Sequence, residues 1–245
     1  MNVIISKNHE ESCRKVADLI IKIIKNNPHP MLGLATGGTT ELVYKELVES
    51  YNRKEVSFQN VSTINLDEYV GLPLNHEQSY QYYMDYHFFN KVDIDINNTY
   101  IPQTNANTEL ELAQFKNKLA ANPRNFQLLG IGSNGHIAFN EPAEQLHADA
   151  YIVEIASETI KANARYFSNE NEVPKTAFTQ GIGDILKAEV IALLATGPNK
   201  AKAIQMLLSN DEITTFSPCT FLKAHRNTTI FIDQELADTI KYKNK

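Results

Sequence analysis

Tryptophan is absent from the 245 residues, and cysteine nearly so, with only Cys13 and Cys219 far apart in the chain. Two distant thiols exclude a disulfide-stapled scaffold and any cysteine-built metal knuckle. An excess of basic charge is missing as well. The 23 Lys and Arg stand against 29 Asp and Glu, a formal net charge of −6. Gripping a phosphate backbone needs a basic face, so nucleic acid is excluded as a partner. No apolar run approaches the ~20 residues that span a bilayer, and no signal peptide opens the chain. These absences give an expectation of a cytoplasmic protein with reduced thiols and no membrane partner. Repeats, low-complexity tracts and an interdomain linker are also lacking, so residues 1–245 read as one domain. A chain of this length buries roughly 75% of its unfolded surface without staples.

What is present alternates regularly. Short apolar runs at 2–6, 31–35, 61–66, 126–129, 189–195 and 228–232 read as strands, and 151–156 alternates like one. Helical spacing covers 8–25, where Val16, Leu19, Ile20, Ile23 and Ile24 recur on one face. It returns after residue 40 (Leu42, Val43, Leu47, Val48) and over 78–89, 109–121, 157–166, 181–187 and 200–208. Residues 97–108 and 168–174 are polar connectors, and a short polar tail follows 232. Strands alternating with helices predict an α/β fold, a single doubly wound, mostly parallel, Rossmann-like sheet with helices on both faces.

The chemistry concentrates at strand ends. After the run at 126–129, Gly130, Gly132 and Gly135 let the backbone pass close to another molecule. Into that turn are set Asn134, His136 and Glu141, with Pro142 as a stop. A His beside an amide and a carboxylate exchanges protons near neutral pH. The turns Thr36-Gly37-Gly38-Thr39 and Thr196 to Lys200 each leave an apolar strand and enter a helix. Each offers backbone N–H groups and a helix N-terminus to an anion, with either Thr39 or Thr40 as cap of the first helix. Thr36 and Thr39 add hydroxyls and Lys200 a full charge, a set that suits a phosphate monoester. Neither turn has the glycine spacing of a Walker loop or a dinucleotide fingerprint. Asp67 ends the strand at 61–66, beside apolar Tyr69, Val70 and Leu72, where its pKa would rise and suit a general base. Glu68 could do likewise, and the residue types do not choose between them. Tyr80, Tyr82, Tyr83, Tyr86, Phe88 and Phe89 read as core and surface aromatics, and the charged runs 22–25 and 241–245 as solvated face or tail.

The turn at 36–39, the motif Leu-Asp-Glu-Tyr-Val-Gly-Leu at 66–72 and Gly-His-Ile-Ala-Phe-Asn-Glu-Pro at 135–142 closely resemble the glucosamine-6-phosphate deaminase (isomerizing) family. The likeness runs through almost the whole chain, and the second and third segments are the specific ones. The resemblance implies an enzyme of amino-sugar catabolism that converts glucosamine 6-phosphate to fructose 6-phosphate and ammonia, without cofactor or metal. It makes Asp67 the base at C2 and His136 the ring-opening acid/base, with Asn134 and Glu141 holding the imidazole. Thr36, Gly37, Gly38, Thr39, Arg165 and Lys200 match its substrate and phosphate contacts, and Arg165 lies in a segment like its mobile lid, around 152–180. Many members carry Asp where this chain has Asn134, so Glu141 is left as the one anionic partner of His136. Allosteric members bind an acetylated amino-sugar phosphate through basic residues after the Asn-Glu-Pro motif and a longer C-terminal segment. Glu144, Tyr151 and Val153 stand at the matching positions here. The resemblance therefore implies a short, non-allosteric type, a monomer or small homo-oligomer. Two rivals share the fold. A 6-phosphogluconolactonase has no need of a base at C2, and a non-catalytic sugar-phosphate sensor of a transcription regulator would need a DNA-binding segment that is not visible before Met31.

Overall fold

A computed structural model describes residues 1–73, 75–104 and 107–242. In chain order the elements are β1 (Asn2–Ser6), α1 (His9–Asn26), β2 (Met31–Leu34), α2 (Glu41–Asn52), β3 (Ser62–Asn65), β4 (Asp67–Tyr69), α3 (Tyr80–His87), β5 (Thr99–Tyr100) and α4 (Thr108–Ala121). They continue with β6 (Phe126–Leu129), β7 (Tyr151–Glu154), α5 (Ser157–Asn163), β8 (Thr176–Thr179), α6 (Ile182–Leu186), β9 (Val190–Ala195), α7 (Ala201–Leu208), β10 (Thr228–Asp233) and α8 (Gln234–Thr239). Helix α1 starts where Asn8 caps it, its side chain accepting the Glu11 N–H at 3.0 Å, with Glu10 and Glu11 in the first turn complementing the dipole.

Seven strands form one wholly parallel sheet in the order β1-β10-β9-β6-β2-β3-β5. Its two faces are both covered. Leu32 and Leu34 of β2 face the cluster built with Val16 and Ile20 of α1 and Leu47 of α2. Met31, of opposite parity on the same strand, packs with Ile64 against Phe115 and Leu119 of α4. Burial on both sides is why β9 reads Val-Ile-Ala-Leu-Leu-Ala without alternation.

Strands β4, β8 and β7 form a second, antiparallel sheet. Of the strand expected at 151–156, residues 151–154 are one, but they belong to this small sheet and not to the parallel one. Several elements were invisible in the sequence pattern, among them β4, three residues starting at Asp67; β5, only two residues long; β8, whose Thr-Ala-Phe-Thr lacks a β-branched apolar run; α8; and the 3-10 stretch Pro218–Ala224. The polar tail after 232 is α8 as far as Thr239, and residues 243–245 lie outside the described part. Among the described residues no helix is long and apolar enough to cross a membrane.

The sheet order places the site. From β2 the chain moves outward to β3 and β5, whereas from β6 it moves the other way to β9 and β10. The direction of winding reverses between neighbours β2 and β6, and in open α/β sheets the crevice beyond the strand ends at such a reversal holds the ligand. The loops leaving β2 and β6 are the turn at 36–40 and the glycine loop at 130–142.

Candidate active site

A cleft of about 870 Å³ opens at that reversal. Its walls include Thr36 to Thr39 after β2, Asp67 after β3, Asn134 and His136 after β6, and Lys200 after β9, with Arg165 closing from above. Four adjacent parallel strands thus deliver most of the residues expected from the sequence to one space. Glu141 stands behind His136, bonded to it.

The imidazole is fixed from behind. His136 Nδ1–H donates to Glu141 Oε2 at 3.1 Å, which leaves Nε2 as the other ring nitrogen for proton exchange. Asn134 Nδ2 donates to the same Oε2 at 2.8 Å, and its Oδ1 accepts the His136 backbone N–H at 3.2 Å. Asn134 therefore holds the loop and the carboxylate, and touches the ring only through Glu141. Burial would raise the Glu141 carboxyl, but the hydrogen bond and charge of His136, with donors from Thr159 and Asn134, outweigh it and bring it down to about 2. Gly135 bends the loop at φ +91°. Gly132 lies flat beneath the ring, where a Cβ would meet His136 Cε1 at 2.2 Å. Gly132→Ala is accordingly expected to displace the imidazole and cut turnover roughly 100-fold. Steady-state kinetics beside a thermal melt would check this, since a loss of activity tracking unfolding would contradict it.

Asp67 is 8% exposed and Glu68 fully buried. Burial first, and the Glu68 charge second, lift Asp67 from the ordinary 3.8 to about 8. Glu68 is not a second candidate for the same role. Its carboxylate is consumed by backbone N–H groups of Tyr69 at 2.8 Å, Tyr80 at 3.0 Å and Gln81 at 2.9 Å, the last two at the start of α3. Burial raises it to about 7 against the pull of these donors. The structure thus separates two neighbours that the residue types left equivalent, in the direction the resemblance implied: Asp67 faces the cleft, Glu68 staples α3. The small sheet fixes Asp67 through its pairing with Thr179, whose hydroxyl accepts the Phe139 N–H at 3.1 Å and so ties the glycine loop to the same ladder.

The two anion turns differ more than their sequences suggest. In the first, Gly37 takes φ +116°, and the N–H groups of Gly37, Gly38 and Thr39 donate no hydrogen bond to the described residues. They lie before the twelve-residue α2 and can hold an anion. Thr40 is at the cap position, but its hydroxyl donates to the carbonyls of Ala35 and Gly37 instead of accepting from the helix. In the second turn fewer amides are open: Gly197 N–H goes to Asp233, Pro198 has none and Lys200 N–H returns to Gly197, whereas Asn199 N–H, at the cleft, donates no hydrogen bond to the described residues. This turn supplies a charge. The Lys200 ammonium is held below its usual range, by burial first and by the Arg165 guanidinium second. Two cations brought together at a ring of open amides suit a dianion.

Aromatic side chains complete the walls. Tyr69, Tyr80, Phe139 and Phe167 form one cluster, with Tyr69 and Tyr80 rings 4.9 Å apart. Tyr80, Tyr82, Tyr83 and Tyr86 all line the cleft, so they are more than the core and surface aromatics expected, while Phe88 and Phe89 are indeed core. Thr159, which donates to Glu141, carried no sequence signal. Among the described residues no cluster of three His, Cys, Asp or Glu is placed to hold a metal.

Fold and cleft define a doubly wound α/β protein with a buried carboxylate and an imidazole beside an anion site. The chain belongs to the family of glucosamine-6-phosphate isomerases and 6-phosphogluconolactonases, whose sequence model matches residues 7–231. It is 45% identical over 242 residues to a glucosamine-6-phosphate deaminase of Thermoanaerobacter sp. strain X514, covering 98% of this chain and 95% of that one. A deaminase of the same description from Clostridium perfringens strain 13 is 42% identical over 98% of this chain and all of its own. Among solved structures, a monomeric glucosamine-6-phosphate deaminase superposes with a TM-score of 0.94 at 38% identity, over 98% of this chain and 100% of that one. The 6-phosphogluconolactonase of Trypanosoma brucei shares the fold, with a TM-score of 0.78 at 18% identity over 98% of each chain.

Proposed function

We propose that this chain converts glucosamine 6-phosphate to fructose 6-phosphate and ammonia. The observation that carries the reading is the pairing of a buried, cleft-facing Asp67 with the His136–Glu141 couple on the far wall of one cleft. The phosphate sits on the amides at 37–39 between Lys200 and Arg165, and its binding energy holds the reacting carbons in place. His136 moves a proton between the anomeric hydroxyl and the ring oxygen, which opens the pyranose. Asp67, ionised, takes the C2 proton of the open chain, and the aromatic wall keeps water from the enolic intermediate. Reprotonation at C1 gives the C2 imine, and addition of one water at C2 with loss of ammonia leaves the ketone. A coupled assay for ammonia from glucosamine 6-phosphate tests the reading, and no release by the wild type would sink it.

The part of the chain that moves is narrower than 152–180, because β7 and β8 are locked in a ladder with the strand of Asp67. Residues 155–175, carrying Arg165, are the proposed lid. The enzyme works as a monomer, a reading supported by the 0.94 TM-score to a monomeric deaminase. Glu144 is exposed and Tyr151 is stacked on His147, so the region after Pro142 offers no cationic grip for a phosphate effector. The rate is expected to be hyperbolic in substrate and indifferent to N-acetylglucosamine 6-phosphate, with light scattering giving the mass of one chain. Sigmoidal kinetics relieved by that compound would contradict both statements.

Asn134→Asp is expected to keep activity but shift the pH–rate profile. The new carboxylate would stand where Nδ2 now lies 2.8 Å from Glu141 Oε2, and added negative charge favours the imidazolium. An unchanged profile would show that the charge of residue 134 does not reach His136.

A further inference from the structure

Glu141 is held by donors from two different parts of the fold. Its Oε2 accepts from His136 and Asn134, both on the loop after β6. Its Oε1 accepts from the Thr159 hydroxyl at 2.6 Å, and Thr159 belongs to α5. Although α5 lies at the rim of the cleft, Thr159 is only 8% exposed. Four residues on, and so on the same face of the helix, Asn163 Nδ2 donates to the Tyr69 hydroxyl at 2.9 Å. Tyr69 stands two residues from Asp67. Two residues after Asn163 comes Arg165, whose charge acts on Lys200. One short helix thus touches the carboxylate behind His136 and the strand of Asp67, and the turn that follows it carries Arg165.

We infer that Thr159 is a positioning residue that transmits the seating of α5 to the His136–Glu141 couple, so that phosphate capture at Arg165 and proton transfer at His136 are linked. The inference rests on the deaminase reading above. With both oxygens occupied, the Glu141 carboxylate has one torsion, and Oε2 stays aligned with Nδ1–H. If α5 lifts, Oε1 loses its donor and the carboxylate is free to turn. The ring follows, because its Nδ1–H is bonded to that carboxylate. The hydroxyl also takes up part of the carboxylate charge. The other titratable group facing the couple is Tyr151, pushed up to about 12 by burial and then by the Glu141 charge, so it stays neutral over the working range.

The test compares wild type, Thr159→Val and Thr159→Ser, each alone and with Arg165→Gln, by kcat, KM and melting temperature. Valine should lower kcat about tenfold, the scale of one lost hydrogen bond to a charged group, with KM changed less than about twofold. Serine should restore kcat. In the Arg165→Gln background the valine effect should shrink to less than about threefold. Wild-type kcat in Thr159→Val, serine no better than valine, or effects that simply multiply would each overturn the inference. Should valine lower the melting temperature, Thr159→Ala carries the same expectations without added bulk. Absence of ammonia release by the wild type would instead remove the deaminase reading. Release by the wild type with an unaltered valine variant removes only the link.

Discussion

Replacing Asp67 by Asn is expected to reduce ammonia release about 1,000-fold or more while raising the melting temperature at alkaline pH. The first effect follows from the loss of a general base, typically worth 10²- to 10⁴-fold. The second follows from where the carboxyl titrates. Burial lifts it from 3.8 to about 8 in the folded chain. Between about pH 4 and 8 the native state therefore keeps a proton that the unfolded state releases, so wild-type stability falls as pH rises through that window. Asn carries no such charge. The gap in melting temperature between variant and wild type should be small near pH 4 and widen by at least about 5 °C by pH 8. A gap that does not grow with pH would mean that Asp67 is not a desolvated charge. The same titration makes turnover rise with pH toward about 8, as the base becomes ionised.

Removing the imidazole attacks a different step. His136→Gln keeps a side chain of similar reach but cannot carry a proton between two sugar oxygens, and a loss of roughly 10²- to 10³-fold is expected. The diagnostic is the isotope effect with substrate deuterated at C2. Where removal of the C2 proton limits the rate, as it should in Asp67→Asn, the effect is large. In His136→Gln, ring opening should become limiting and the isotope effect should collapse toward unity. A full effect in the glutamine variant would take ring opening away from His136.

Much of this was legible before any coordinates, and the reasons are local. Strands β2, β6 and β9 are buried on both faces and carry their apolar runs openly, and the edge strand β1 does so half-buried. Helix α1 announces itself by Asn8 and the recurrence of Val16, Ile20 and Ile23. The glycine loop showed its chemistry because His136 and Glu141 lie five residues apart. What stayed hidden depended on partners distant in sequence. A period-two pattern at 151–154 marks a strand without saying which sheet takes it up. Thr159 meets Glu141 across 18 positions, and Asp233 reaches Gly197 across 36. The choice between Asp67 and Glu68 turned on where α3 begins, and only the fold brings those N–H groups beneath one of two adjacent carboxylates.

The antiparallel ladder has a further use. Residues 155–175 depart from β7 and return through β8, both paired to each other, with β8 also joined to the strand of Asp67. The roof of the cleft is thus inserted between two fixed anchor points rather than hung from the parallel sheet. Its length and composition can be exchanged as a cassette, with Asp67 left in register, and selectivity for the sugar can diverge there while the reaction itself stays the same.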